Sequence, residues 1–342
     1  VLVVEDSPAC RELLLGLIGG DPRLHVVGVA PDGEAAVEAA ARLRPDVIAM
    51  DIHLPRLDGF AATRRIMETC PTRIVMVTAS SVPHEVARSF EALESGALAV
   101  LGKPVAPGHP QFAVLRDDLL RTLALMAEVP VVRRWPAARQ TPAPPLDVPV
   151  HNRQVSLVAI GASTGGPLAL QALLSALHAD FAVPIVIVQH IAPGFAEGLA
   201  QWLSHSTGRA VRVGRQGERL QPGAAYVAVD GLHTTVCADG RIALDAGAPE
   251  HGYRPAVACL FRSVAQHVGA RAVGVLLTGM GRDGAQELRA MRLAGALTLA
   301  QDSASAVVHG MPGEALRLEA AMHVLAPEQM AAVLNDLPRG EH

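Results

Sequence analysis

VSLVAIGASTGGP, residues Val155–Pro167, carries a run of aliphatic side chains straight into a Gly-rich turn that holds Ser163. Two later stretches repeat the pattern. PIVIVQH (Pro184–His190) ends on His190, and AVGVLLTGMGRDG (Ala272–Gly284) ends near Asp283. Short runs of this composition, alternating with helical segments, read as parallel strands buried on both faces. In an open parallel sheet, functional groups collect outside the carboxyl ends of the strands. Read this way, the three stretches gather Ser163, His190 and Asp283 at one sheet edge, although the residues lie far apart in sequence. The set suits nucleophilic catalysis. A hydroxyl is a weak nucleophile until a base takes its proton, and a carboxylate can hold that base in place.

Working outward, the same alternation covers residues 154–342. Strands fit Val155–Ile160, Pro184–Val188, Ala272–Leu277 and Ala296–Ala300, with helices between them. Ala210–Leu244 is broken by Gly and Asp into short runs and reads as an antiparallel insertion of hairpins. Residues 129–153 hold Pro130, Pro136, Pro142, Pro144, Pro145 and Pro149 and read as a semi-rigid linker. Residues 1–128 alternate strand and helix five times, which predicts a doubly wound five-stranded α/β sheet. Val1 already stands inside an apolar run, so the first strand is expected to be clipped.

Bulk properties agree with two domains: 342 residues, half of them hydrophobic, with only 3% aromatic, so Ala, Val and Leu must fill the cores. The net charge of −4, without a basic block, argues against nucleic acid as the main partner. There is no bilayer-length apolar stretch and no signal peptide, and a cytoplasmic location is expected. Cys10, Cys70, Cys237 and Cys259 lack metal-ligand spacing and are expected to be buried free thiols.

A second constellation lies in the first domain. Glu5 and Asp6 follow the first strand, Asp51 ends the third, Thr78 the fourth and Lys103 the fifth. Three carboxylates together call for a cation, and hard oxygen ligands suit Mg²⁺. A hydroxyl and an ammonium beside them would complete a phosphoryl site. Lys103 is the only lysine in the chain, every other basic side chain of that class being Arg. A compact ammonium on a flexible stem does what a planar guanidinium does not.

These positions, with DIHLPRLDG (Asp51–Gly59), resemble the receiver domain of response regulators, a flavodoxin-like fold, over about residues 1–125. The resemblance implies phosphorylation of Asp51 by a histidine kinase or a small phosphodonor. It implies Mg²⁺ held by Glu5, Asp6, Asp51 and the backbone carbonyl of His53, with Thr78 and Lys103 contacting the phosphoryl group. One position departs: Val100 stands where receivers usually carry an aromatic switch residue.

GASTG (Gly161–Gly165) matches the G-x-S-x-G elbow, but the order Ser, His, Asp is not that of the α/β-hydrolases. GASTGGP, VQHIAPGFAEGLA and LLTGMGRDG resemble instead the catalytic domain of the chemotaxis protein-glutamate methylesterases (the CheB family), as do YRPAVACLFRSVA (Tyr253–Ala265) and AQDSASAVVHGMP (Ala300–Pro312). The implied fold is a Rossmann-like parallel α/β domain without a cofactor for the esterase chemistry. By this resemblance Ser163 attacks the γ-methyl ester of a chemoreceptor glutamyl side chain, His190 is the base and Asp283 orients it. Backbone N–H groups around Thr164 and Met280 would receive the oxyanion, and receptor glutamines would be deamidated through the same acyl intermediate. Ala258 stands where the family often has Asp, and Val229-Asp230-Gly231 replaces a Pro-Gly-like turn. His233, near that turn, either lines the cleft or lies on the surface. A hydrolase of small esters and a signalling adaptor without chemistry are the alternatives, either of them serving a chemosensory pathway that does not control motility.

Overall fold

A computed structural model of the chain describes residues 1–79, 82–129 and 154–337. The chain divides into two compact units, Val1–Arg139 and Gln140–His342. The Pro-rich segment falls on residues 130–153, outside the described residues.

The first unit runs β1 (Leu2–Val4), α1 (Pro8–Gly19), β2 (Gly28–Ala30), α2 (Gly33–Leu43), β3 (Val47–Asp51), α3 (Gly59–Thr69), β4 (Arg73–Thr78), α4 (Pro83–Glu94), β5 (Ala99–Gly102) and α5 (Phe112–Glu128). All strand pairs are parallel, in the order β2-β1-β3-β4-β5. The reversal of order at β1 and β3 is a topological switch point, the place where such sheets bind ligands. Helix starts follow local chemistry. Asp32 accepts from Ala35 N–H at 2.9 Å and Asp58 from Ala61 N–H at 2.8 Å, each satisfying a donor that the first turn leaves open. Asp32 also pairs with the Arg56 guanidinium, which ties the loop after β3 to the start of α2. Leu2, Ile48, Met50, Ile74 and Met76 are fully buried in the sheet.

The second unit runs β6 (Leu157–Ala162), α6 (Gly166–Ala176), β7 (Ile185–Gln189), α7 (Ala196–Thr207), β8 (Val211–Val213), β9 (Ala225–Val227), β10 (His233–Val236), β11 (Ile242–Asp245), α8 (Val257–His267), β12 (Ala272–Leu276), α9 (Ala285–Leu293), β13 (Leu297–Gln301), α10 (Met311–Arg317), β14 (His323–Leu325) and α11 (Pro327–Asn335). Its seven-stranded sheet is ordered β14-β13-β12-β6-β7-β9-β8. The expected antiparallel insertion over Ala210–Leu244 is half corrected. β10 and β11 do form an antiparallel hairpin, but β8 and β9 are parallel strands of the main sheet. Tyr226 explains the difference: it is fully buried, with Val186 and Val188, in a core that a solvent-facing hairpin could not provide. The switch point lies at β6, which has β7 on one side and β12 on the other. Ser163 follows directly after β6.

The four cysteines are free and partly exposed rather than buried. Among the described residues, no helix is long and apolar enough to cross a membrane.

Candidate active site

Ser163 is held from both neighbouring strand ends. Its own N–H donates to Thr278 O at 3.0 Å, past the end of β12. Its carbonyl accepts from Gln189 Nε2 at 2.7 Å, and the same amide nitrogen donates to His190 O at 2.9 Å. Gln189 thus staples the turn after β6 to the turn after β7. Gly165 has φ of +77°, a conformation that glycine adopts without strain, and it lets α6 begin immediately after the Ser-Thr pair. Gly279 leaves room for the serine, since a Cβ there would stand 2.7 Å from Ser163 Cβ.

His190 Nε2 lies 2.9 Å from Asp283 Oδ2. Asp283 is only 1% exposed. Its Oδ2 also accepts from Val257 N–H at 2.7 Å, and its Oδ1 from Ala258 N–H at 3.0 Å. Both amides open α8, so the carboxylate sits where the helix presents free donors and the positive end of its dipole. An ionised carboxylate only accepts hydrogen bonds. The hydrogen-bond network therefore assigns the ring proton to Nε2 and leaves the lone pair on Nδ1. Nδ1 is buried and has no partner among the described residues. No hydrogen bond joins it to Ser163 Oγ in this state, and contacts of this kind often tighten only when substrate binds. The Tyr253 ring stacks on the imidazole, with centroids 3.8 Å apart and planes 3° from parallel.

An open cavity of about 520 Å³ adjoins this group, with His251, Tyr253, Arg282, Asp283 and Glu314 among its walls. The backbone amides of Thr164 and Met280 engage no protein acceptor among the described residues, which leaves both able to donate. The Thr164 carbonyl accepts from Thr278 Oγ1 at 3.0 Å, fixing the turn from which its amide points.

In the first unit, Lys103 Nζ lies 2.7 Å from Asp51 Oδ2 and 2.8 Å from Glu5 Oε2. Both contacts hold the ammonium against the two carboxylates. Burial raises the Glu5 carboxyl above its usual range, with Asp51 adding to the rise and Lys103 opposing it. Burial alone would depress the Lys103 ammonium, but its bonds to Asp51 and Glu5 outweigh that and raise it. Carboxylate oxygens of Glu5, Asp6 and Asp51 lie within 4.8 Å of one another. This all-oxygen donor set fits a hard divalent cation. Asp6 and His53 also line a cavity of about 410 Å³ with Asp58 and Arg88. Asp51 Oδ1 accepts from Ile52 N–H at 2.7 Å. Thr78 is buried, and its carbonyl accepts from Lys103 N–H at 2.7 Å. Val100 occupies β5 opposite Met76 of β4.

Sequence reading missed two contributors, Gln189 and Tyr253, and misplaced a third residue, His233. Gln189 was hidden as the residue before a histidine, and its staple exists only in three dimensions. Tyr253 lies in a loop that has no period of its own. His233 neither lines the cleft nor lies on the surface. It is 3% exposed, with Nε2 bonded to Ala248 O at 3.0 Å and Nδ1 accepting from Ala256 N–H at 3.3 Å. Asp230 is likewise occupied: it accepts from Gly194 N–H at 2.8 Å and Ala196 N–H at 3.4 Å, at the start of α7.

Residues 1–111 match the response regulator receiver domain and residues 158–334 match the CheB methylesterase. The chain is 49% identical over 341 residues to a protein-glutamate methylesterase/protein-glutamine glutaminase of Geobacter metallireducens, covering 98% of each chain. It is 50% identical over 349 residues to one of Nitrosospira multiformis, covering 100% of this chain and 98% of the relative. The crystal structure of the Thermotoga maritima CheB methylesterase catalytic domain aligns with a TM-score of 0.52 at 32% identity, over 53% of this chain and 98% of that one. A family model matches more than half of the chain and the relatives are about half identical to it over 98% of their own length, so this chain belongs to the protein-glutamate methylesterase/protein-glutamine glutaminase family.

Proposed function

We propose that this protein hydrolyses γ-methyl esters of glutamyl residues on chemoreceptors and deamidates receptor glutamines, under control of phosphorylation at Asp51. The observation that carries the chemical reading is the His190–Asp283 pair, with Nδ1 left as the free base beside the turn that presents Ser163.

His190 Nδ1 takes the Ser163 hydroxyl proton as Oγ attacks the ester carbonyl. The imidazolium that forms is stabilised by Asp283, whose carboxylate the α8 amides hold in place. The developing oxyanion is met by the amides of Thr164 and Met280. Collapse of the tetrahedral adduct breaks the C–O bond, and His190 gives its proton to the departing methoxide oxygen, which leaves as methanol. Water, deprotonated by the same nitrogen, then cleaves the acyl-enzyme and leaves a glutamate carboxylate. With a glutamine side chain the leaving group is ammonia and the acyl intermediate is the same.

In the receiver, Glu5, Asp6, Asp51 and the His53 carbonyl would hold Mg²⁺, which supplies charge neutralisation for phosphoryl transfer. Asp51 is the acceptor, and Lys103 and Thr78 contact the incoming phosphoryl oxygens. A chemotaxis-type histidine kinase is the phosphodonor, and the protein acts in the cytoplasm on the receptors' cytoplasmic segments. The unphosphorylated receiver restrains the esterase and phosphorylation releases it, a two-state element biased by added charge.

A serine-directed fluorophosphonate tests the catalytic half. Labelling should map to Ser163 and abolish both methanol and ammonia release. Stoichiometric labelling elsewhere, or full activity after Ser163 is modified, would remove Ser163 from the nucleophile's role.

A further inference from the structure

We infer that Tyr253 is a positioning residue for catalysis: its ring fixes the plane of the His190 imidazole, so that Nδ1 keeps one orientation for taking the Ser163 proton. This rests on the assignment of His190 as the base.

One hydrogen bond fixes only part of a ring's orientation. The bond from His190 Nε2 to Asp283 Oδ2 anchors one corner of the ring. It leaves the ring free to rock about the line from Cγ to that corner. Such rocking swings Nδ1, the atom that must meet the serine proton. Nδ1 has no partner among the described residues to hold it. The other restraint is the flat face of Tyr253, 3.8 Å away and within 3° of parallel. Parallel rings at van der Waals separation resist tilting in either direction, because any tilt drives one edge into the neighbour.

The loop that carries Tyr253 is itself tied down. His233, on β10, bonds Ala248 O with one ring nitrogen and accepts from Ala256 N–H with the other. Those two backbone groups lie on either side of Tyr253, so one buried side chain pins both ends of the loop. Within it, Glu250 and Tyr253 close a two-way backbone bridge at 3.0 and 2.9 Å. Glu250 is also paired to Arg262 on α8, the helix whose first amides hold Asp283. Carboxylate and stacking ring are therefore set by the same helix, one at its start and the other through Arg262 further along. This arrangement costs the loop its freedom, and the benefit to function is a base with a single orientation.

Tyr253 also borders the cavity, so a role in contacting substrate must be separated from a role through His190. The test uses the full-length protein with phosphodonor and Mg²⁺, and Tyr253→Leu, Tyr253→Phe and His190→Ala variants. Steady-state methanol release from a methylated receptor fragment gives kcat and KM, and the fluorophosphonate labelling rate of Ser163 is followed against pH. Positioning predicts that Tyr253→Leu lowers kcat about tenfold or more with KM within twofold. It also predicts slower labelling with a displaced pH midpoint, and recovery of both by Tyr253→Phe, which keeps the ring face. A raised KM with wild-type kcat and labelling would make Tyr253 a substrate contact and overturn the inference. Equal loss in Phe and Leu would transfer the role to the hydroxyl and also overturn it. Full activity in His190→Ala would instead remove the reading of the base beneath it, whereas an inactive His190→Ala beside a wild-type Tyr253→Leu would remove only the positioning role.

Discussion

Asp283 shows how much one buried carboxylate can be made to do. It accepts from His190 and from the first two amides of α8, so its charge is matched on three sides. Asn in its place keeps the shape but can present its amide N–H to His190, which favours the wrong tautomer and puts the proton on Nδ1. Asp283→Asn should therefore lower kcat by about 10³–10⁴-fold with little change in KM, measured as methanol release. Lys103 and Glu5 allow a prediction about pH. The Glu5 carboxyl is raised by burial, so its contribution to stability is present below the ordinary carboxylate range and lost as pH rises through its folded value. Thermal midpoints from pH 4.5 to 7 without divalent cation should fall in the wild type relative to Glu5→Gln, and added Mg²⁺ should reverse the fall only in the wild type. At this scale the sequence was informative where a polar side chain ended an apolar run, as with Ser163, His190, Asp283, Asp51 and Lys103. It was silent for Gln189 and Tyr253, whose roles depend on partners brought close only by folding.

The elements around the site are organised by α8. Its start holds Asp283, and its Arg262 draws the Glu250 carboxyl down to about 2 from an ordinary 4.5. A depressed carboxyl contributes stability that is present above the unfolded value and lost as pH falls through the folded one. The thermal advantage of the wild type over Glu250→Gln should therefore hold above pH 4.5 and vanish as pH approaches 2. Burial, with the hydrogen bond that its Sγ donates to Glu250, raises the Cys259 thiol to about 12, so alkylating reagents should modify it far more slowly than an ordinary free thiol at neutral pH. Asp230 plays the cap role at α7, and Asp230→Ala should cost about 0.5–2 kcal/mol in chemical denaturation. Element reading succeeded where a strand was long and aliphatic, as in β6, β7 and β12. It failed for β8 and β9, each three residues long, because local alternation looks the same in a hairpin and in a parallel edge. What decides between them is the burial of Tyr226 against β7, a long-range fact. β14 was missed for a related reason: His323 and Val324 remain partly or largely open to solvent and only Leu325 is buried.

Across the whole molecule, two sites of different chemistry are built by one rule, polar residues at the carboxyl ends of parallel strands beside a switch in strand order. That rule placed both candidate clusters at sheet edges from the sequence alone. It carries no information on how one site governs the other. Restraint by the unphosphorylated receiver predicts that a fragment beginning at Gln154 releases methanol faster than the full chain without phosphodonor, and that equal rates would exclude restraint. The most direct test of the central claim is methanol release from a methylated chemoreceptor cytoplasmic fragment. It compares wild type with Ser163→Ala, each with and without a small-molecule phosphodonor and Mg²⁺. The account predicts release by the wild type, an increase with phosphodonor, and none from Ser163→Ala under either condition. Release that persists in Ser163→Ala, or a folded wild type that releases no methanol under any condition, would contradict it.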